Sequence, residues 1–383
     1  MIAYKKRGPQ GTAIRRKGGS LMTDKAEYVP ARRYGWQLAL LAALFLAVFL
    51  AAFAVGRYSV GVGKTVCILL DGALRGVSGF LSRLFSADVT WGLPVFWTGP
   101  EAAVVLNVRL PRILSAALIG AALSVAGVSY QGMFRNPMVS PDLLGASTGA
   151  GFGAALAILC SAGYFGITCS AFLFGLLAVL LAYLIGRVSR MDQTLSMVLA
   201  GMMISSLFTA GTSLIKLVAD TDNQLPAITY WLMGSLTSVS GRDVRFAALP
   251  ILAGLAPLLL LRWRVNLLTL SEAEARSMGV DTRRLRRLVI LCATLMTASS
   301  VAISGMIGWV GLVVPHLCRM LFGCDYRRLL PSCAMLGAAF LILVDTLART
   351  MTTSEIPLGI LTSFVGAPVF LYLILSGGKA NGN

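Results

Sequence analysis

Charged residues are scarce in this chain: 13% of its 383 positions, where a soluble domain carries about a quarter. Acids are scarcer still, 16 against 33 Lys and Arg, and there is one histidine, His316. A single His does not make a metal centre, so a structural role is expected for it before heme or metal ligation. The seven cysteines (67, 160, 169, 292, 318, 324 and 333) include no C-x-x-C or other metal-ligand spacing. Most lie in apolar runs, which fits small polarizable packing residues, with a lone disulfide or reactive thiol as the alternative. No cleavable signal peptide is evident, because the first apolar run begins near Trp36 and is too long for an h-region. A complete phosphate-binding loop is also missing. "GRYSVGVGKTV" ends in Gly63-Lys64-Thr65, but the glycine that G-x-x-x-x-G-K-[ST] requires is replaced by Tyr58.

What the chain has in abundance is apolar length. Hydrophobic residues make up 57% and the mean hydropathy is +0.79. Runs of about 20 residues, enough to cross a ~30 Å hydrocarbon core, recur along the chain. Ten are delimited by charged or Pro/Gly breaks: 36–56, 110–132, 143–162, 167–186, 194–217, 244–261, 288–305, 307–323, 331–350 and 357–376. The reading is an all-α polytopic membrane protein. It has a basic tail, residues 1–35, and a ten-helix domain, residues 36–383.

The net charge of +17 follows position, not a nucleic-acid partner. Nine Lys and Arg precede the first run, and fourteen more fall in segments that share its side if both termini are inside. This is the positive-inside bias, and the tail is expected to lie along an anionic leaflet. RNA binding by the tail is the weaker alternative. The Gly-Lys-Thr then falls outside, away from ATP, in an extracytoplasmic segment (60–108) containing an interfacial amphipathic helix over 66–85.

Small residues stripe span 2 (Gly120 to Gly127) and span 3 (Gly145, Gly149 and Gly153), as close helix packing in lipid requires. "RLPR" (109–112) opens span 2 and "RLRR" (284–287) opens span 7; entered from opposite sides, they suggest inverted-repeat halves. Arg109, Arg112 and Arg349 stand at outer helix ends against the charge bias. They call either for an acidic partner or for headgroup anchoring. The cytoplasmic loop 262–287 contains "LSEAEARSMGVDT". There Ser271 and Glu274 form a capping box, Glu272 and Arg276 stand at i,i+4, and Gly279 can end the helix. Such a helix suits docking into a partner's groove, or is an ordered loop.

Four ordered blocks resemble a known family. "RLPRILSAALIGAALSVAGVSYQGMFRNPMVSPDLLGASTGAG" (109–151), "LSEAEARSMGV" (270–280), "GMIGWVGLVVPHLCRMLFGCDYRRLLP" (305–331) and "EIPLGILTSFVGAPVFLYLIL" (355–375) are similar to FecCD/vitamin B12-type permeases. These are the membrane subunits of ABC importers for iron–siderophore, heme and cobalamin. The resemblance implies the type II importer permease architecture in the cell membrane. It also implies a second copy of the chain, two ABC ATPase subunits and an extracytoplasmic solute-binding protein as partners. No cofactor, metal or catalytic residue is implied for the chain itself. Ser271, Glu272, Glu274, Arg276 and Gly279 correspond to the ATPase-coupling element. Arg109, Arg112 and Arg349 correspond to positions that meet glutamates of the binding protein. "RMDQTLSMVLAGMMISSLFTAG" (190–211) resembles the helix along the path between subunits, with Gln193, Thr194 and Leu195 at its gate. Met197, Met202 and Met203 either line that path or fill packing gaps. Ferric siderophore is the first choice of cargo, with heme or cobalamin next.

Two readings from other classes are disfavoured by the same shortage of polar residues. An intramembrane enzyme needs paired carboxylates or a His/Asp cluster within its spans. An ion-driven secondary transporter needs buried acids to carry protons or sodium. Within the spans this chain offers little beyond Lys216 and Asp345.

Overall fold

The computed structural model describes residues 31–380 except 57, 59, 86–91, 93, 190–192 and 271. The basic tail before residue 31, and the Ser271 half of the expected capping box, lie outside the described residues. The chain folds into helices α1 (Ala31–Ala54), α2 (Val62–Phe85), α3 (Gly99–Ala103), α4 (Leu110–Phe134), α5 (Ala146–Leu159), α6 (Tyr164–Val188), α7 (Gln193–Val218), α8 (Gln224–Met233), α9 (Gly241–Leu260), α10 (Arg262–Asn266), α11 (Glu272–Ser277), α12 (Thr282–Ser304), α13 (Val310–Phe322), α14 (Tyr326–Thr350) and α15 (Leu358–Ala380). No strand occurs among the described residues. Seven helices are long and apolar enough to cross a membrane, and α5, α13 and α15 are shorter apolar helices in the described residues. Together they coincide with the ten runs read from sequence.

Helices α4 and α12 form the centre, each with 78% of its most apolar window buried, and they pack against each other. Around them the order of lengths repeats. A 25-residue α4, a 14-residue α5 and a 25-residue α6 answer to a 23-residue α12, a 13-residue α13 and a 25-residue α14. The two sets run in opposite directions. Helix α12 starts beside α10 and α11, hereafter the loop end of the bundle, whereas α4 starts at the far end, where α14 finishes. The small-residue stripe of span 3 is a packing surface. A Cβ at Gly149 would lie 2.5 Å from the Phe174 carbonyl oxygen of α6, and one at Gly153 the same distance from that of Ser170.

The Gly-Lys-Thr stretch is the first turn of α2. The Thr65 hydroxyl donates to the Gly61 carbonyl (3.1 Å), and Lys64 pairs with Glu101 (2.9 Å) in the capping box that starts α3. Lys64 is thus tied to a carboxylate, and Thr65 is bonded back to the residue before the helix. All seven cysteines are free; Cys292, Cys318 and Cys333 are buried.

Candidate transport site

At the far end of the bundle the arginines are internal. Arg109, Arg112 and Arg349 are 4%, 8% and 8% exposed. Arg112 bridges two carboxylates: its Nε donates to both oxygens of Asp345 (2.9 and 3.0 Å), and its Nη1 and Nη2 reach Glu355 (3.0 and 2.9 Å). Arg349 faces Asp345 at 3.9 Å and donates to the Ala52 carbonyl. Arg109 donates to the carbonyls of Phe53 and Tyr58. Within the chain, then, these three arginines are met by Asp345, Glu355 and the carbonyls at the end of α1. The end of α1 and the turn after it cover the ends of α4 and α14. A guanidinium taken out of water there must find its acceptors within the chain. Arg109 sits in a π-helical turn (Val104–Arg109) joining α3 to α4. Glu355, which sequence reasoning did not single out, links the network onward, because the Thr237 hydroxyl donates to it at 2.6 Å.

Beside this network three irregular segments cross. Ser235 N–H donates to the Ser304 carbonyl (2.7 Å) and Leu358 N–H to the Gly234 carbonyl (2.8 Å). Gly234 and Gly305 both take positive φ (76° and 68°), and so does Trp309 (68°), an uncommon conformation for a bulky residue. With 13 residues, α13 rises only about 20 Å, so the break at 305–309 lies within the thickness of a ~30 Å hydrocarbon core. Irregular backbone at that depth is tolerated where it lines a cavity. Such a cleft is present, of about 670 Å³, lined by Met233, Met306, Gly308, Gly359, Ser363 and Phe364 among others.

Helix α7 presents two different faces. Met197 is buried (4% exposed) against α6, where a Cβ on Gly186 would meet its Cγ at 2.7 Å. It fills a packing gap there, one of the two roles its sequence context allowed. Leu195, Met202 and Met203 lie on the opposite face, 47%, 49% and 64% exposed; Thr194 is half-buried and the Gln193 side chain lies outside the described residues. Interleaved with them are Ser206, Thr209 and Ser213, also exposed. Their hydroxyls donate to the carbonyls of Met202, Ser205 and Thr209 four residues back (2.9, 2.7 and 3.0 Å). That leaves hydroxyl oxygens along the face as acceptors, without the cost of unpaired donors. The 206–209–213 spacing is visible in the sequence, although which side of the helix it faces is not.

At the loop end, α11 closes in a Schellman turn: Gly279 N–H donates to the Arg276 carbonyl (2.9 Å) and Val280 N–H to that of Ala275 (3.2 Å), with Gly279 at φ 77°. Gly279 plays the part expected of it. Ala275 is buried, fastening α11 to the body, while Glu274 and Arg276 are exposed; the Glu272 side chain is outside the described residues. Asp281 caps α12 by accepting from the N–H groups of Arg283 (3.0 Å) and Arg284 (3.1 Å). The Arg284 N–H, above other causes, holds its carboxyl below the ordinary range. A depressed folded value means the cap is complete at neutral pH and is lost only as pH falls through that value. Between α10, α11 and α12 a groove of about 420 Å³ is lined by Trp263, Arg264, Met278, Val280, Arg284 and Leu288, among others. Among the described residues no three His, Cys, Asp or Glu side chains gather as a metal site.

The chain is similar to proteins of known kind. Residues 43–376 match the FecCD transport family. A permease protein of a molybdate import system from Haemophilus influenzae is 43% identical over 72% of this chain and 81% of its own length. A protein of Helicobacter pylori, named as a probable iron chelatin transport system permease, is 42% identical over 71% and 82%. Among solved structures, an inward-facing metal-chelate type ABC transporter superposes with a TM-score of 0.77 at 37% identity, covering 90% of this chain and all of that one.

Proposed function

Because the chain belongs to the FecCD transport family of ABC-importer permeases, we propose that it carries ferric siderophores across the cell membrane as one half of a homodimer. Cargo arrives from an extracytoplasmic binding protein and leaves into the cytoplasm. Two separate ABC ATPase subunits supply the energy by pulling on α11. We assign the loop end to the cytoplasm; what supports this is the positive-inside bias, since Arg135, Arg187, Arg262, Arg264 and the arginines of α12 fall there.

The observation that carries this reading is the exposed face of α7. A spanning helix that turns Ser206, Thr209 and Ser213 away from its own bundle has a polar surface that lipid would not reward. A second copy facing it would enclose a path with oxygen acceptors and methionine thioethers, soft enough to pass a large chelate without holding it. Alternating access then follows from two arrangements of that interface, biased by nucleotide and by the docked binding protein. The chemistry of hydrolysis stays with the ATPases, and this chain forms no covalent bond.

The names of the Helicobacter relative and of the metal-chelate transporter favour an iron chelate. Heme or cobalamin would travel through the same architecture, and the Haemophilus relative adds molybdate as a second reading. Uptake of labelled ferric siderophore, heme, cobalamin and molybdate by a strain lacking the gene separates them. Loss of ferric siderophore uptake alone, restored by the gene, is the expected result; unimpaired siderophore uptake with loss of another cargo would replace the assignment.

A further inference from the structure

The bundle carries a third concave feature, lined by residues of neither the cleft nor the groove. Between α6 and α12 runs a trough of about 680 Å³ whose walls include Leu173, Leu177 and Leu180 on one side and Ile290, Leu291 and Leu295 on the other. Its polar members are few. The Thr294 hydroxyl is taken by the Ile290 carbonyl at 2.6 Å, so the wall is effectively hydrocarbon. At the loop end the trough is closed by Arg187 and Arg287, with Tyr183 one turn above Arg187.

Both arginines are exposed, and neither has a hydrogen bond or ion pair among the described residues. Asp281, whose carboxylate lies in the field of Arg287, is already occupied by the Arg283 and Arg284 amides and by the Arg284 side chain at 3.0 Å. The pattern is that of a receptor for an amphiphile: one long apolar slot with two exposed cations at its mouth that make no ion pair among the described residues. From Leu173 to Arg187 the helix rises roughly 21 Å, more than the roughly 15 Å of one leaflet's hydrocarbon. An acyl chain can therefore lie in the slot while its headgroup reaches the arginines.

We propose that this trough is a binding site for an anionic phospholipid of the leaflet at the loop end, its phosphate held by Arg187 and Arg287. A zwitterionic headgroup brings its own cation against the same two arginines and binds less well. Inorganic phosphate would satisfy the charge but leave the slot empty. The inference rests on the membrane-spanning reading alone and not on the identity of the cargo.

The test uses the full chain, purified in detergent, stripped of lipid and examined by native mass spectrometry. The probes are phosphatidylglycerol, phosphatidylcholine with the same acyl chains, and inorganic phosphate. Retention of phosphatidylglycerol should exceed that of phosphatidylcholine by about tenfold or more, the effect expected of two basic side chains acting together. The double variant Arg187→Gln/Arg287→Gln should level the two lipids, and Arg187→Lys/Arg287→Lys should keep the preference. Leu180→Trp with Leu291→Trp, which fills the slot, should lower retention of both lipids. Arg245→Gln, at the far end, should change nothing. Equal retention by the wild type overturns the proposal, as does a preference that survives the double Gln variant. Displacement of phosphatidylglycerol by phosphate would reduce the site to its headgroup end and overturn it too. A change of oligomeric state on filling the slot would make a second copy the occupant, against the proposal. If the Gln variant does not fold, the wild-type comparison and the phosphate competition still decide.

Discussion

Asp345 lies between Arg112 and Arg349 with 1% of its side chain exposed, so its charge is affordable only while both guanidiniums stay in place. Removing one partner of a buried pair strands the other, which costs about 3–5 kcal/mol, whereas replacing the pair by apolar residues is often neutral. Asp345→Asn should therefore lower the melting temperature in detergent sharply, and Arg112→Leu with Asp345→Leu should recover part of the loss, because Glu355 and Arg349 then each lose a partner. Equal destabilisation by the single and double variants would mean that the residues act separately. The positions of these arginines were legible in the sequence because they break the charge bias. Their partners were not, since Glu355 lies 243 residues from Arg112 and the cover comes from α1. Which of its two roles Met197 takes was not legible for a related reason. An apolar helix advertises its hydrophobic residues on all sides, and only the neighbour, here Gly186, decides which side is core.

Helices α7 and α11 differ in how much of them could be read in advance. The end of α11 is written locally: Gly279 after the last helical turn dictates the left-handed residue, and the structure has it at φ 77°. What α11 couples to is not local, so the expectation is tested by charge reversal. Glu274→Arg should leave insertion in the membrane intact and abolish stimulation of the ATPase partner. Stimulation at the wild-type level would remove α11 from the mechanism. For α7 the buried and exposed faces emerge only from packing against α5 and α6. Its exposed hydroxyls predict that Ser206→Cys reacts with a hydrophilic maleimide faster than Leu173→Cys, in the apolar trough wall of α6. That difference should change when the ATPases are locked with a non-hydrolysable nucleotide. Slow, nucleotide-independent labelling at both positions would place α7 against lipid.

On the scale of the molecule, ten apolar helices were legible because crossing hydrocarbon demands length and hydropathy that few other roles require. The repeat of long, short and long helices was only hinted at by two arginine-rich openings, since helix lengths and directions carry it rather than residue identities. The cleft beside 305–309 could not be read at all: it exists where three breaks, far apart in sequence, meet. The molecule has a buried centre in α4 and α12, an exposed hydroxyl-bearing face on α7 and an incomplete phosphate-loop motif at Gly63-Lys64-Thr65. The proposed role is that of a passage energised by another polypeptide. The most direct test reconstitutes the purified chain in lipid vesicles and measures entry of labelled ferric siderophore with ATP, with and without the ATPase subunits and the binding protein. Uptake and ATP hydrolysis that appear only with the full set is the predicted result. Hydrolysis or ATP-dependent accumulation by the chain alone would contradict it.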